Sequence, residues 1–325
     1  MNQIMNQRQR VQAAIHRQPS DRIPKGELLI DAGFIQDYFR CFKGIANTSH
    51  EDHLIDIYDA LDLDLICLGF SDLINDPGSD PKMVLHANQL GEDGFFIFCM
   101  IDGAFESAMN ASGFMAFHKN LIYKPDETAG MIKTFAGNVI KQIEACATAG
   151  VDGIILGEDI AYKQGPYISP EDVNRLLLSC WKEQVKKAQD LNLPIFFHSD
   201  GNINALLPII LEAGFDGLQC IESGARMDIK EIKKNYGDRL CLMGNIDPAL
   251  LAGTIDQAPD LQQEDLSVND PKVLFADLNR AVTDLASDAA DGGGFIFGTS
   301  SGLYAGLSPH KVRYMFELAG KLCLK

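Results

Sequence analysis

The chain has 325 residues, 46% hydrophobic and 22% charged, with mean hydropathy close to zero, which excludes a disordered or fibrous chain and fits an enzyme-sized globular body. Its 28 Lys and Arg stand against 45 Asp and Glu; a net charge of −17 with no basic stripe repels phosphate backbones, so nucleic acid is not an expected partner. No apolar run approaches the roughly 20 residues that span a bilayer, the first 18 residues are polar, and the eight scattered cysteines form no C-x-x-C pair. The expectation is a cytoplasmic protein with reduced thiols, off the membrane.

In chain order, short β-branched or aromatic runs predict strands near 26–31 and at 65–70, 95–101, 153–157, 194–198, 217–222, 240–245 and 294–298, about eight in all. Stretches of helical periodicity lie between them, at about 104–117, 127–148, 170–191, 203–213, 228–235, 273–290 and 309–323. Ser169-Pro170-Glu171-Asp172 combines an N-cap serine, Pro at the first helical position and acids in the first turn, a strong helix start. Ala149-Gly150-Val151-Asp152-Gly153 recurs as Ala213-Gly214-Phe215-Asp216-Gly217, with looser echoes at Ala60–Asp64 and Ala290–Gly294. Helix, Gly cap and strand in repetition predict an α/β protein of the (β/α)8 TIM-barrel class, one domain over 1–325. A doubly wound sheet uses the same units, but neither a G-x-G-x-x-G nor a G-x-x-x-x-G-K-[ST] turn occurs. The polar stretch 253–271 reads as an insertion at the barrel rim.

A parallel barrel places its active site at the C-terminal strand ends, so the polar residues closing the apolar runs are the candidates. They are Glu158-Asp159, His198-Ser199-Asp200, Cys220 with Glu222, Asn245 with Asp247, and Thr299-Ser300-Ser301. Each has an ordinary alternative: His198 as a rim histidine bonded to a loop, Asp159 and Asp247 as helix caps, Cys220 as a core thiol. As a set they suit a divalent metal or general acid/base chemistry. His198 and Asp200, two apart, share a strand face and could bind one ion, with Glu222 or, in its stead, Cys220 as third ligand. The alternative for this trio is that Asp200 caps a helix starting near Asn202 while His198 binds substrate without metal.

Several ordered segments resemble the uroporphyrinogen decarboxylase-like superfamily. They include Arg8-Gln9-Arg10-Val11 to Asp21-Arg22-Ile23-Pro24, Glu158-Asp159 through Gln164-Gly165-Pro166, Phe197-His198-Ser199-Asp200-Gly201-Asn202, Gly217–Glu222, Met243–Asp247 and Gly292–Gly298. The resemblance spans nearly the whole chain and implies a (β/α)8 barrel. It also implies one of two chemistries: decarboxylation of a porphyrinogen, or methyl transfer between a corrinoid protein and a small acceptor or donor. The decarboxylases carry an M-R-Q-A-G-R loop whose cations grip the substrate's propionates; the matching stretch, Lys25-Gly26-Glu27-Leu28-Leu29-Ile30-Asp31, has no Arg. The methyltransferase branch is therefore favoured. A decarboxylase and, from another class, a non-catalytic ligand-binding barrel remain the alternatives.

In that branch zinc commonly activates a thiol acceptor through a His-x-Cys pair and a later Cys. Here the pair reads His198-x-Asp200 and the last strand end, Thr299-Ser300-Ser301-Gly302, has no Cys. The strand ends and the resemblance together give Asp159, Gln164, Asn245 and Asp247 as candidate catalytic groups and Asp102 and Ser301 as candidate substrate contacts, while strand geometry gives zinc at His198, Asp200 and Glu222. No D-x-H-x-x-G corrinoid loop occurs, so a corrinoid would arrive on a separate protein. Besides a small-molecule substrate and that protein, a second copy of the chain is the partner the reading allows.

Overall fold

In a computed structural model of the chain, residues 4–45, 50–73, 94–253 and 271–322 are described. The predicted insertion at 253–271 falls almost wholly outside them. Nine strands appear among them: β1 (Leu65–Gly69), β2 (Phe96–Asp102), β3 (Gly153–Gly157), β4 (Ala161–Tyr162), β5 (Gly165–Pro166), β6 (Ile195–His198), β7 (Gly217–Gln219), β8 (Cys241–Ile246) and β9 (Phe295–Thr299). The chain divides into two compact units, Cys67–Asp228 and Met1–Ile66 with Ile229–Lys325, and β1 straddles the division.

In the unit Cys67–Asp228, β2, β3, β6 and β7 run parallel in that order. The register aligns Asp102, Gly157, His198 and Gln219 in one row at the C-terminal strand ends. Helices Ala104–Ser112, Phe114–Tyr123, Pro125–Ala149, Pro170–Leu176, Leu178–Asp190 and Leu207–Ala213 lie between the strands in sequence. The predicted helix 104–117 is broken at Gly113, whose φ of 78° and ψ of 140° no helix tolerates. The predicted 170–191 is interrupted at Leu177, and Ser169 caps its start as expected, its hydroxyl accepting the Asp172 N–H at 3.1 Å. β7 stops at Gln219, short of the predicted 222, because Cys220 and Ile221 take positive φ of 88° and 54° and turn the chain out of the ladder.

The repeated Ala-Gly-x-Asp-Gly has a structural cause. Gly150 and Gly214 end their helices in the left-handed conformation. Asp152 then donates its N–H to Ile97 O at 2.8 Å and accepts the Ile97 N–H on its carboxylate at 2.9 Å. Asp216 does the same to Ile195, both bonds being 2.9 Å. Each Asp thus clamps the start of the neighbouring strand. The last Gly of each motif makes room for an aromatic ring: a Cβ at Gly153 would lie 2.6 Å from the Phe98 ring and one at Gly217 2.4 Å from Phe196. Those two rings pack against each other at 5.1 Å, fully buried. Burying each contributes about 2 to 3 kcal/mol.

In the other unit β8 and β9 pair in parallel, flanked in sequence by helices Ile229–Tyr236, Ala276–Ala289 and Pro309–Lys321. The predicted strand at 26–31 is reduced to two isolated parallel bridges, Lys25 with Phe297 and Ile30 with Leu303. Between them the Glu27 side chain replaces the backbone acceptor, taking the Thr299 N–H at 2.9 Å and the Thr299 hydroxyl at 2.6 Å. The looser echo ending at Asp64 makes the same clamp as the other two: Asp64 N–H donates to Lys25 O at 2.7 Å and its carboxylate accepts Lys25 N–H at 2.8 Å.

Candidate metal centre

β3 ends at Gly157 and passes directly into Glu158-Asp159, two adjacent acids with different surroundings. Glu158 is fully buried. Its carboxylate accepts the N–H groups of Ala104, Phe105 and Glu106 at the start of helix Ala104–Ser112, at 3.0, 2.9 and 3.2 Å, and the Trp181 indole N–H at 2.9 Å. Burial pushes its pKa up to about 7 against the pull of these donors. Asp159, 41% exposed, turns its carboxylate instead to the next strand end, where Oδ1 accepts the Asp200 N–H at 3.0 Å and stands 3.6 Å from His198 Nε2.

His198 closes β6 and is buried. Its Nδ1 meets the side-chain oxygen of Gln219, its neighbour in the register of β6 and β7. A proton on Nδ1 donated to that oxygen would leave Nε2, the nitrogen facing Asp159, as the acceptor. Asp200, exposed, lies just beyond the strand. One ligand atom each from Asp159, His198 and Asp200 falls within 4.8 Å of the others, a group able to hold one cation.

Of the three ligands expected from sequence, the structure brings His198 and Asp200 together, and Asp159 joins them. Glu222 lies outside that group: its Oε2 accepts the Gly201 N–H at 3.0 Å. The buried Cys220 thiol donates to Asp200 Oδ1 at 3.3 Å. Burial, and next the Asp200 charge, push that thiol well above its ordinary pKa, so it stays protonated. Gln164 is exposed in the turn joining β4 to β5. Asp102 closes β2, exposed. Asn245, Asp247 and Ser301 belong to the other unit. There Asn245 is buried in β8, Asp247 caps the turn Pro248–Leu251 through the Ala249 N–H at 2.8 Å, and Ser301 is exposed beyond β9.

Two residues were missed in the sequence. Gln219 carries a usable signal in the sequence: a polar residue inside an apolar strand that follows the strand ending in His198. Glu106 was hidden inside a helix; its Oε2 accepts the Asp159 N–H at 3.3 Å. Its pKa rises to about 7 through burial first and then the charge of Asp159, with the charges of Asp102 and Glu158 acting the same way.

The arrangement is that of an α/β protein whose strand ends carry a His and carboxylate group suited to a divalent ion. The sequence profile of the uroporphyrinogen decarboxylase (URO-D) family matches residues 92–322, and the chain belongs to that family. It is 26% identical over 205 residues to a uroporphyrinogen decarboxylase from Chlorobium luteolum (strain DSM 273 / BCRC 81028 / 2530), covering 62% of this chain and 51% of that protein. It is 32% identical over 161 residues to the methylcobamide:CoM methyltransferase MtaA of Methanosarcina barkeri, covering 48% of this chain and 45% of that protein. The chain thus spans about half the length of the curated relatives it matches. A solved structure of a methyltransferase from Methanosarcina mazei superposes with a TM-score of 0.70 over 97% of this chain and 98% of that one, at 17% identity. The fold is accordingly of the (β/α)8-barrel class, as the repeats predict. No helix among the described residues is long and apolar enough to cross a membrane.

Proposed function

We infer that this chain is a methyltransferase of the URO-D family that moves a methyl group between a small substrate or cofactor and a corrinoid carried by a separate protein. The observation that carries the reading is the group of Asp159, His198 and Asp200 at adjacent strand ends, with Gln219 against His198 Nδ1. One nitrogen and two carboxylates suit zinc and tolerate other divalent ions. Bound there, such an ion would supply Lewis acidity, holding a thiol acceptor as thiolate or polarising a leaving group. The protein's own part is to orient: Gln219 fixes the imidazole, Glu106 and Asp200 hold the Asp159 loop through backbone N–H bonds, and Cys220 stays a thiol bonded to Asp200. Gln164, Asn245 and Asp247 keep the proposed catalytic roles, and Asp102 and Ser301 the proposed substrate contacts.

The stretch that would grip propionates in a decarboxylase supports the same choice. Its one cation, Lys25, is buried and committed to Leu61 O, Asp62 and Phe316 O at 3.3, 2.8 and 3.4 Å. Asp31 in the same stretch caps helix Ala32–Lys43. The named uroporphyrinogen decarboxylases among the relatives favour a second reading, decarboxylation of a porphyrinogen. Protein purified without chelator should contain about one divalent ion per chain by elemental analysis, lost in His198→Ala and Asp159→Asn with the circular dichroism unchanged. It should also demethylate free methylcobalamin in the presence of a thiol, followed by the corrinoid absorbance. Metal-free protein that leaves methylcobalamin intact and turns over uroporphyrinogen refutes the first reading and establishes the second.

A further inference from the structure

Beside the candidate centre the unit carries a group of aromatic rings that the reaction outlined above does not use. The short hairpin of β4 and β5 follows directly on Asp159. Its Tyr162 stacks on Tyr167 with centroids 5.5 Å apart and planes within 12°. Phe114 meets the edge of Tyr167 at 5.2 Å, and His118 stands 6.0 Å from it. The hairpin is tied to the Asp200 loop: the Asn202 N–H donates to Tyr162 O at 2.9 Å, and a Cβ at Gly201 would collide with the Ala161 and Tyr162 backbone at 2.7 Å.

Packing alone accounts poorly for these rings. Tyr162 and Phe114 remain 46% and 47% exposed, so aromatic surface is left accessible at the rim. The Tyr167 hydroxyl bonds none of the described residues, although the charges of Asp159 and Asp200 act on it. His118 spends Nδ1 on Phe114 O at 2.8 Å, and its buried Nε2 has no hydrogen-bond partner among the described residues. Five acids of this unit count towards the charge here, as does Lys163 in the turn of the hairpin. Asp102, Glu106, Asp159, Asp200 and Glu222 stand in this unit, and among the described residues none is ion-paired with Lys or Arg. A divalent ion held by Asp159 and Asp200 would still leave Asp102 and Glu222 without a Lys or Arg partner among the described residues.

We propose that Tyr162, Tyr167 and Phe114 form the substrate-recognition wall of this centre, and that the compound they receive is a methylated onium ion, a quaternary ammonium or a sulfonium. Open aromatic faces attract a cation whose charge is spread over methyl groups, since it loses little hydration on leaving water. The surrounding carboxylates add long-range attraction and reject anions. The inference rests on the reading of Asp159, His198 and Asp200 as the reaction centre, but its test reads binding alone.

The full-length protein is titrated calorimetrically with choline, tetramethylammonium and trimethylsulfonium, and with 3,3-dimethylbutan-1-ol, the uncharged carbon analogue of choline. At least one onium ion should bind, with choline or its analogue pair differing by about 10-fold in favour of the cation. Tyr162→Leu should weaken the cation by about 5- to 10-fold, whereas Tyr162→Phe, which keeps the π-face, should stay within about 2-fold. Tyr162 is half exposed, so neither change threatens the fold. Equal binding of the uncharged analogue, no onium binding at 50 mM (roughly the weakest contact worth calling a site), or indifference to Tyr162→Leu overturns the proposal. Onium binding by a protein that transfers no methyl group supports it and overturns the reading of the reaction instead.

Discussion

Glu27 is a carboxyl with no exposed surface, and its partners are the N–H and hydroxyl of one residue, Thr299. Burial raises its pKa from 4.5 to about 8, with those two bonds pulling the other way. A carboxyl raised on folding binds its proton more tightly in the folded chain. Its contribution is therefore complete below pH 4.5 and is lost progressively as pH rises towards 8. At 1.36 kcal/mol per unit, stability falls by about 3 kcal/mol by pH 7 and by about 5 kcal/mol above pH 8. Glu27→Gln removes the titration and keeps the bonds. Its carbonyl oxygen can accept the Thr299 N–H, and its amide can donate to the Thr299 hydroxyl oxygen, which also holds the Gly302 N–H at 2.8 Å. Urea unfolding of both proteins at pH 5, 6, 7 and 8 should give similar stabilities at pH 5 and a variant more stable by several kcal/mol at pH 8, about 1.4 kcal/mol opening per pH unit. Parallel stability curves, or a variant weaker at pH 8 than the parent, would refute the assignment of Glu27 as a buried acid that must ionise at a cost.

Gln219→Leu should leave the fold intact but lower zinc affinity by about 10- to 100-fold in a competition titration against a chromophoric chelator, because the imidazole loses the partner that fixes its tautomer; unchanged affinity would take Gln219 out of the site. Glycines should split by their surroundings: Gly217→Ala meets the buried Phe196 ring at 2.4 Å and should cost about 1 to 3 kcal/mol. Gly130→Ala, open on all sides within helix Pro125–Ala149, should gain about 1 kcal/mol in thermal unfolding.

The strand and helix pattern was legible because it rests on local terms. The runs at 65–70, 95–101, 153–157 and 294–298 are apolar for the length of a buried strand, and Gly150 and Gly214 end helices by a conformation that other residues avoid. The recurring Asp of the repeat was visible as a pattern, while its work, clamping the neighbouring strand start, was not, since Asp152 and Ile97 are 55 residues apart. The strand expected near 26–31 failed for a related reason. A side chain, that of Glu27, supplies the acceptor that a strand would supply from its backbone, and no periodicity records such an exchange.

The candidate site was half legible for a reason the pair Glu158-Asp159 makes concrete. In the sequence these are two adjacent acids at one strand end, and a helix-cap role is the ordinary alternative for Asp159. In the structure Glu158, one carbon longer, reaches the N-terminus of helix Ala104–Ser112 and is enclosed there by Trp181, so all of its acceptor capacity is spent inside the protein. Gly103 permits this: a Cβ there would lie 2.1 Å from the Glu158 carboxyl carbon. With Glu158 fixed inward, its successor must face the other way, and the Glu106 carboxylate holds Asp159 there by its backbone N–H. The ligand group therefore depends on a buried acid that never touches it. That dependence is also why the sequence pointed to Glu222 as the third ligand: spacing along a strand can be counted, whereas the direction of Asp159 is set by Gly103, Trp181 and Glu106, residues 22 to 56 positions away in the chain.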